Sequence, residues 1–263
     1  MGLFSYDFYG GGRGADPNAP RRKGLARLWE VLREDALHLM GAGFLAMLGV
    51  IPYAAGLMIS IDSHALLPMA VTCPLGGMLA APQLCGLSDT ILRALRDDHS
   101  RWWDTYRRAW KQNWRGCLLP GASGGLLFGF QLLMFYQIDV EQVDLALLAS
   151  MVLGAALSTA IASWLLPQLA LMELPLRHAL MNAVLLCARH PLKTLAATLL
   201  QMAYWALIVL AFPDTLILFV LTNFWLTTFL ATFMQYEPLD STFGIEASIA
   251  EMELQRREHS EDA

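Results

Sequence analysis

What most constrains this chain is where its cations are missing. Six long stretches, near 38–60, 66–88, 117–136, 145–171, 194–212 and 214–235, contain no Lys or Arg. Each is long enough to cross the apolar core of a bilayer, which takes about 20 mostly apolar residues. Six cations precede the first stretch (Arg13, Arg21, Arg22, Lys23, Arg27, Arg33) and seven lie between the second and third (Arg93, Arg96, Arg101, Arg107, Arg108, Lys111, Arg115). Three lie between the fourth and fifth (Arg177, Arg189, Lys193), and two follow the last (Arg256, Arg257); together these are all 18 Lys and Arg residues. The remaining connections carry none. Lys and Arg concentrate on the cytoplasmic side of membrane proteins, so this alternation predicts six transmembrane helices with both termini inside. Only 16 % of the residues are charged, against about 25 % in soluble domains.

The chain divides into a basic N-terminal segment (1–36), a six-helix transmembrane domain (37–236) and an acidic tail (237–263), with a short helix expected at 245–258. The first 36 residues lack the apolar core of a cleavable signal peptide. The start "MGLFSY" departs from the myristoylation pattern at Tyr6. Phe212-Pro213-Asp214 separates the last two spans as a tight turn. Helical periodicity at 24–36, 100–115 and 175–190 predicts three cytoplasmic amphipathic helices, each preceding a hairpin of two spans. The fold class is therefore all-α.

The middle segment reads "SRWWDTYRRAWKQNWRG". Trp103, Tyr106, Trp110 and Trp114 recur at helical spacing on one face, with Arg108, Lys111 and Arg115 opposite and Ser100 placed to cap. Aromatic and basic side chains favour the headgroup level and anionic lipid. The face made by Trp103, Tyr106, Trp110, Lys111, Trp114 and Arg115 is thus a candidate surface for lipid or for a cytoplasmic partner. A net charge of −5 and no extended basic field argue against nucleic-acid binding.

The stretch "VTCPLGGMLAAPQLCGLSD" (71–89) is apolar yet holds Pro74, Gly76, Gly77 and Pro82. Two readings are open: a broken helix lining a pathway beside Gln83, or a kinked helix thinned to pack against a neighbour. Small residues four apart (Gly76 and Ala80, Gly77 and Ala81) favour packing. Gly121, Gly125 and Gly129 repeat that spacing in span 3, so spans 2 and 3 are expected to lie close.

"GASGG" at 121–125 also fits a GxSxG nucleophile pattern and the serine motif of rhomboid proteases. A serine nucleophile needs a base within reach, and spans 5 and 6 contain no His. Packing is the simpler account of these glycines. No catalytic residue, no metal-ligand spacing and no cofactor motif is found. Cys73, Cys85, Cys117 and Cys187 read as small packing residues. The deep polar residues (Gln83, Gln131, Ser158, Thr159, Ser163, Gln168, Gln201, Asn223) are expected to form interhelical hydrogen bonds, with a neutral-solute path as the minority reading. The GxxxG rows serve packing within one chain or a homo-oligomer equally well.

In "DPNAPRRKGLARLWEVL", "LPMAVTCPLGGMLAAP" and "YRRAWKQNWRG" the chain resembles the YesL-like family of bacterial integral membrane proteins, a functionally uncharacterised group. Pro68 and Thr72 match its Pro-x-x-x-Thr segment. Trp110, Lys111, Asn113 and Trp114 match its aromatic-basic segment. The resemblance implies a bacterial plasma-membrane location. Because family genes lie near those for carbohydrate ABC transporters, it also implies a non-enzymatic role accessory to such an importer, with a permease or ATPase subunit as partner. The alternative is a stand-alone transporter or channel for a small neutral solute.

Overall fold

The structure is a computed structural model that describes residues 24–63, 66–98, 101–137, 144–172, 174–248 and 251. Its elements are α1 (Leu25–Asp62), α2 (Leu66–Leu95), α3 (Trp102–Gln137), α4 (Leu145–Leu171), α5 (Leu176–Arg189), α6 (Pro191–Leu210) and α7 (Leu216–Phe243). All except α5 are long and apolar enough to cross a membrane, the arrangement of a multi-pass membrane protein. Backbone polar groups have no water partner in lipid, and a helix satisfies them internally.

The expectation of a separate surface helix before each hairpin is corrected at two of the three places. Residues 25–36 and 102–115 continue unbroken into α1 and α3. Nothing in either sequence stops the helix: Gly116 is absorbed and Pro120 lies inside α3. At 1.5 Å per residue, α1 and α3 are each roughly 55 Å long. Their length thus exceeds the thickness of an apolar core, about 30 Å, by about 20 Å or more. Only α5 stands as its own short helix. It buries Ala179, Ala183 and Leu186 against the bundle and leaves Leu180, Met181, Val184 and Leu185 exposed.

α2 also runs unbroken, through both Pro74 and Pro82. α7 is the interrupted helix: Asn223 has a positive φ of 24° in its middle. Between α6 and α7 the turn contains a cis Phe212–Pro213 bond. Gly244, in the left-handed conformation at φ 60°, ends α7. Residues 245–248 are helical, while most of the remaining expected tail helix lies outside the described residues, as does the expected cap Ser100.

α2 is the central post. It packs most extensively against α3 and then α1, whereas α3 meets α4 over a much smaller area. Half of the most apolar stretch of α2 is buried inside the bundle, against 6 % for α4. The first half of α4 faces outward, and its buried residues begin at Ala160.

Candidate functional site

The α2–α3 contact is an antiparallel seam of small side chains with one rung per helical turn. Cys73 faces Gly129, Gly77 faces Gly125, Ala81 faces Gly121 and Cys85 faces Cys117. A methyl group placed on Gly121 would lie 2.7 Å from Cβ of Ala81, and one on Gly125 would lie 3.0 Å from Cα of Gly77. On Gly77 it would collide with the Gly121 carbonyl. On the other side of α2, a methyl on Gly76 would sit 2.8 Å from the backbone nitrogen of Tyr53 in α1. The glycines thus admit neighbouring backbones. Gly124, one residue from the seam, faces open space. Within residues 71–89, α2 is thinned on two sides, and both sides are filled by helices.

The Pro-x-x-x-Thr pair is joined directly, since Thr72 Oγ1 donates to the Pro68 carbonyl at 2.8 Å. Cβ of Thr72 in turn abuts Gly56 of α1.

Gln83 and Tyr106, placed by sequence on different candidate surfaces, are partners. The Tyr106 hydroxyl donates to Gln83 Oε1 at 2.7 Å, and its ring covers Gly86. Gln83 also packs against Gly49 of α1. Tyr106 is 4 % exposed, so it belongs to the interior and not to a docking face. The six-residue face therefore splits. Tyr106 points inward, Trp110 is half-buried, and Trp103, Lys111, Trp114 and Arg115 are exposed. Arg115 lies over the Trp114 ring at 5.5 Å, a cation–π arrangement. The inward tryptophan is Trp102, which the sequence reading did not single out. It lies on the same side as buried Thr105 and Ala109 and stacks on His38 of α1, with ring centroids 6.1 Å apart. That spacing of small residues was the available signal.

Where the charged ends of α1 and α2 meet, Arg27 is the organising side chain. It is 8 % exposed and donates to Asp97 at 2.6 Å, to Glu30 at 3.0 Å and to the Leu95 carbonyl at 3.1 Å. Asp97 has a left-handed φ of 61°. The N–H of Asp98 bonds the Arg93 carbonyl, and that of Asp97 the Ala94 carbonyl. This is a Schellman cap with Asp where Gly is usual, held by Arg27. Arg93 bridges Asp89 and Asp98. Asp35, His38, Thr90, Arg93, Asp98 and Trp102 line a small open hollow beside this network. His38 is paired with Asp35 at 3.2 Å.

Ser123 donates to the carbonyls of Leu119 and Pro120 in its own helix. This is the ordinary back-bonding of a helical serine.

Of the deep polar residues, Gln131 donates to Ser158 at 2.8 Å, joining α3 to α4, and Gln235 donates to Ser163 at 2.8 Å, joining α7 to α4. Gln201 bonds within its own helix. Asn223 serves neither pattern. Its Oδ1 accepts from the N–H of Trp225 at 3.2 Å, the geometry of an N-cap, so it starts a second helix inside α7. Gly43 of α1 makes room, its Cα side facing Asn223 and Trp225.

The chain has no match among protein families, curated proteins or solved structures.

Proposed function

We propose that the protein is a non-enzymatic accessory component of a bacterial plasma-membrane carbohydrate ABC importer, with both termini cytoplasmic. It would bind a permease or ATPase subunit through the projecting half of α3. The observation that carries this reading is the exposed set Trp103, Lys111, Trp114 and Arg115 on a helix that continues unbroken from the span. Trp103 and Trp114 are 52 % and 41 % exposed, and Trp and Arg are the side chains most enriched at binding hot spots. The resemblance to YesL-like proteins, carried by this same segment, supplies the class of partner. The filled faces of α2 support a binding role over a path along that helix.

The test is a comparison of gentle purifications from the native membrane. Trp103→Ala with Trp114→Ala is expected to lose a stoichiometric importer subunit by at least tenfold while thermal stability stays unchanged. Retention of that subunit by the double variant would overturn the reading.

A stand-alone transporter or channel for a small neutral solute is favoured by one feature, the break at Asn223, because interrupted helices frame transporter sites. On that reading, reconstituted protein moves a solute and Asn223→Leu abolishes the movement. Loss of transport on replacing Gln83 alone would instead place the path beside α2.

A further inference from the structure

We propose that Cys85 and Cys117 form a peroxide-oxidisable dithiol, a modification site that joins α2 covalently to α3. The two sulfurs lie 2.8 Å apart, 32 residues apart in sequence. They occupy one rung of the small-residue seam, where every other rung contains Gly. The two helices are thus held together on the adjoining rungs by contacts that do not involve the thiols. Closing the sulfurs to a disulfide bond of about 2.05 Å requires a movement of about 0.8 Å. Side-chain rotation supplies a movement of that size. Cys73 and Cys187 belong to other clusters, around Met69 with Leu133 and around Trp164 with Leu186, so the pairing is selective.

Shielding selects the oxidant. Cys85 and Cys117 are 0 % and 1 % exposed. Leu165, Leu166 and Leu169 of α4 and Ala179 of α5 cover them. A bulky or charged disulfide has no route to either sulfur, whereas hydrogen peroxide is small and uncharged. One thiol sulfur attacks the O–O bond, which breaks. One oxygen remains on sulfur as a sulfenic acid, and the other leaves as hydroxide, which takes that thiol's proton to form water. The second thiol then attacks the sulfenic sulfur and forms the S–S bond. The displaced hydroxyl leaves with the second thiol's proton as another water. Overall, two thiols are oxidised by two electrons and one peroxide is reduced to two waters.

The experiment uses the full chain in lipid nanodiscs, fully reduced and then freed of reductant. After hydrogen peroxide treatment the protein is denatured, alkylated, digested and mapped by mass spectrometry. We expect alkylated Cys73 and Cys187, and a linked pair of peptides carrying Cys85 and Cys117 that is two hydrogens lighter than the reduced peptides. Dithiothreitol should reverse the link. The oxidised protein should unfold roughly 5–10 °C higher than the reduced one. In Cys85→Ser, dimedone added together with the denaturant after peroxide treatment should capture a sulfenic acid on Cys117. Recovery of Cys85 and Cys117 as alkylated thiols after peroxide overturns the proposal, as does their linkage to Cys73, to Cys187 or to a second copy. If Cys85→Ser fails to fold, the wild-type peptide map decides alone.

Discussion

Helices α1, α2 and α3 meet backbone to backbone across glycines, whereas α4, α6 and α7 meet through side-chain hydrogen bonds. In the first region the contacts are Gly77 on Gly121 and Gly125, and Gly76 on Tyr53. In the second, Trp164 Nε1 donates to Thr194 at 2.9 Å, Gln235 to Ser163 at 2.8 Å, and Tyr204 pairs with Thr222 at 2.7 Å. Lipid tails are as apolar as leucine, so close packing and hydrogen bonds must hold spans together. A glycine seam fails as a unit, because one added side chain pushes two backbones apart. Polar bridges between spans contribute about 0.6 kcal/mol each on average, so each is dispensable. The first region is therefore expected to be rigid and intolerant, and the second adjustable.

Gly77→Leu should have the largest effect, leaving no monodisperse bundle on size-exclusion chromatography. Its control, Gly124→Leu, should behave as wild type, because a Cβ there meets nothing within 4 Å and points away from the seam. If both variants behave alike, the seam is not what holds α2 to α3. Arg27→Ala comes next. It removes the charged donor to Asp97 and to the Leu95 carbonyl at the end of α2, a partly buried contact whose loss costs about 2 kcal/mol, read as a lower thermal midpoint. Thr194→Val removes the acceptor of the Trp164 indole N–H without opening a ring-sized cavity, at a cost of about 1 kcal/mol.

Gln235→Leu should be nearly neutral, for a reason that separates it from the other variants. The Ser163 hydroxyl donates to the Ala160 carbonyl, so its oxygen can only accept and Gln235 must present its NH2 group. That leaves Gln235 Oε1 buried without a donor. Replacing the side chain removes the orphaned acceptor together with the bridge. A loss as large as that of Arg27→Ala would show that the second region is no more adjustable than the first.

Much of this architecture was legible in the sequence. The apolar runs fall on the six long helices because length and composition decide that level. The repeat of four in Gly121, Gly125 and Gly129 pointed to the seam, because helical spacing puts those residues on one line. Helix interruption was not legible. Pro74 and Pro82 suggest a break that the packing of α1 and α3 around α2 overrides. The true break at Asn223 carries neither Pro nor Gly. Asn tolerates positive φ and caps the following turn with its own side chain, a local solution that periodicity does not register. The division of Trp102 from Trp103 was likewise hidden, since adjacent aromatic residues look alike until Gly41 and Gly86 admit Trp102 and Tyr106. The pairing of Arg27 with Asp97 spans 70 residues and has no sequence signal.

The central claim is that α2 is a filled post and not the wall of a path. Cys73 reports on it without any substitution, because it is 0 % exposed beneath Gly125 and Gly129. Intact protein in lipid is treated with a small, positively charged methanethiosulfonate reagent, with half-buried Cys187 as internal reference. The account predicts modification of Cys187 and no modification of Cys73 until the protein is denatured. Modification of Cys73 in the native protein, at a rate comparable with Cys187, would place an aqueous path against α2 and contradict it.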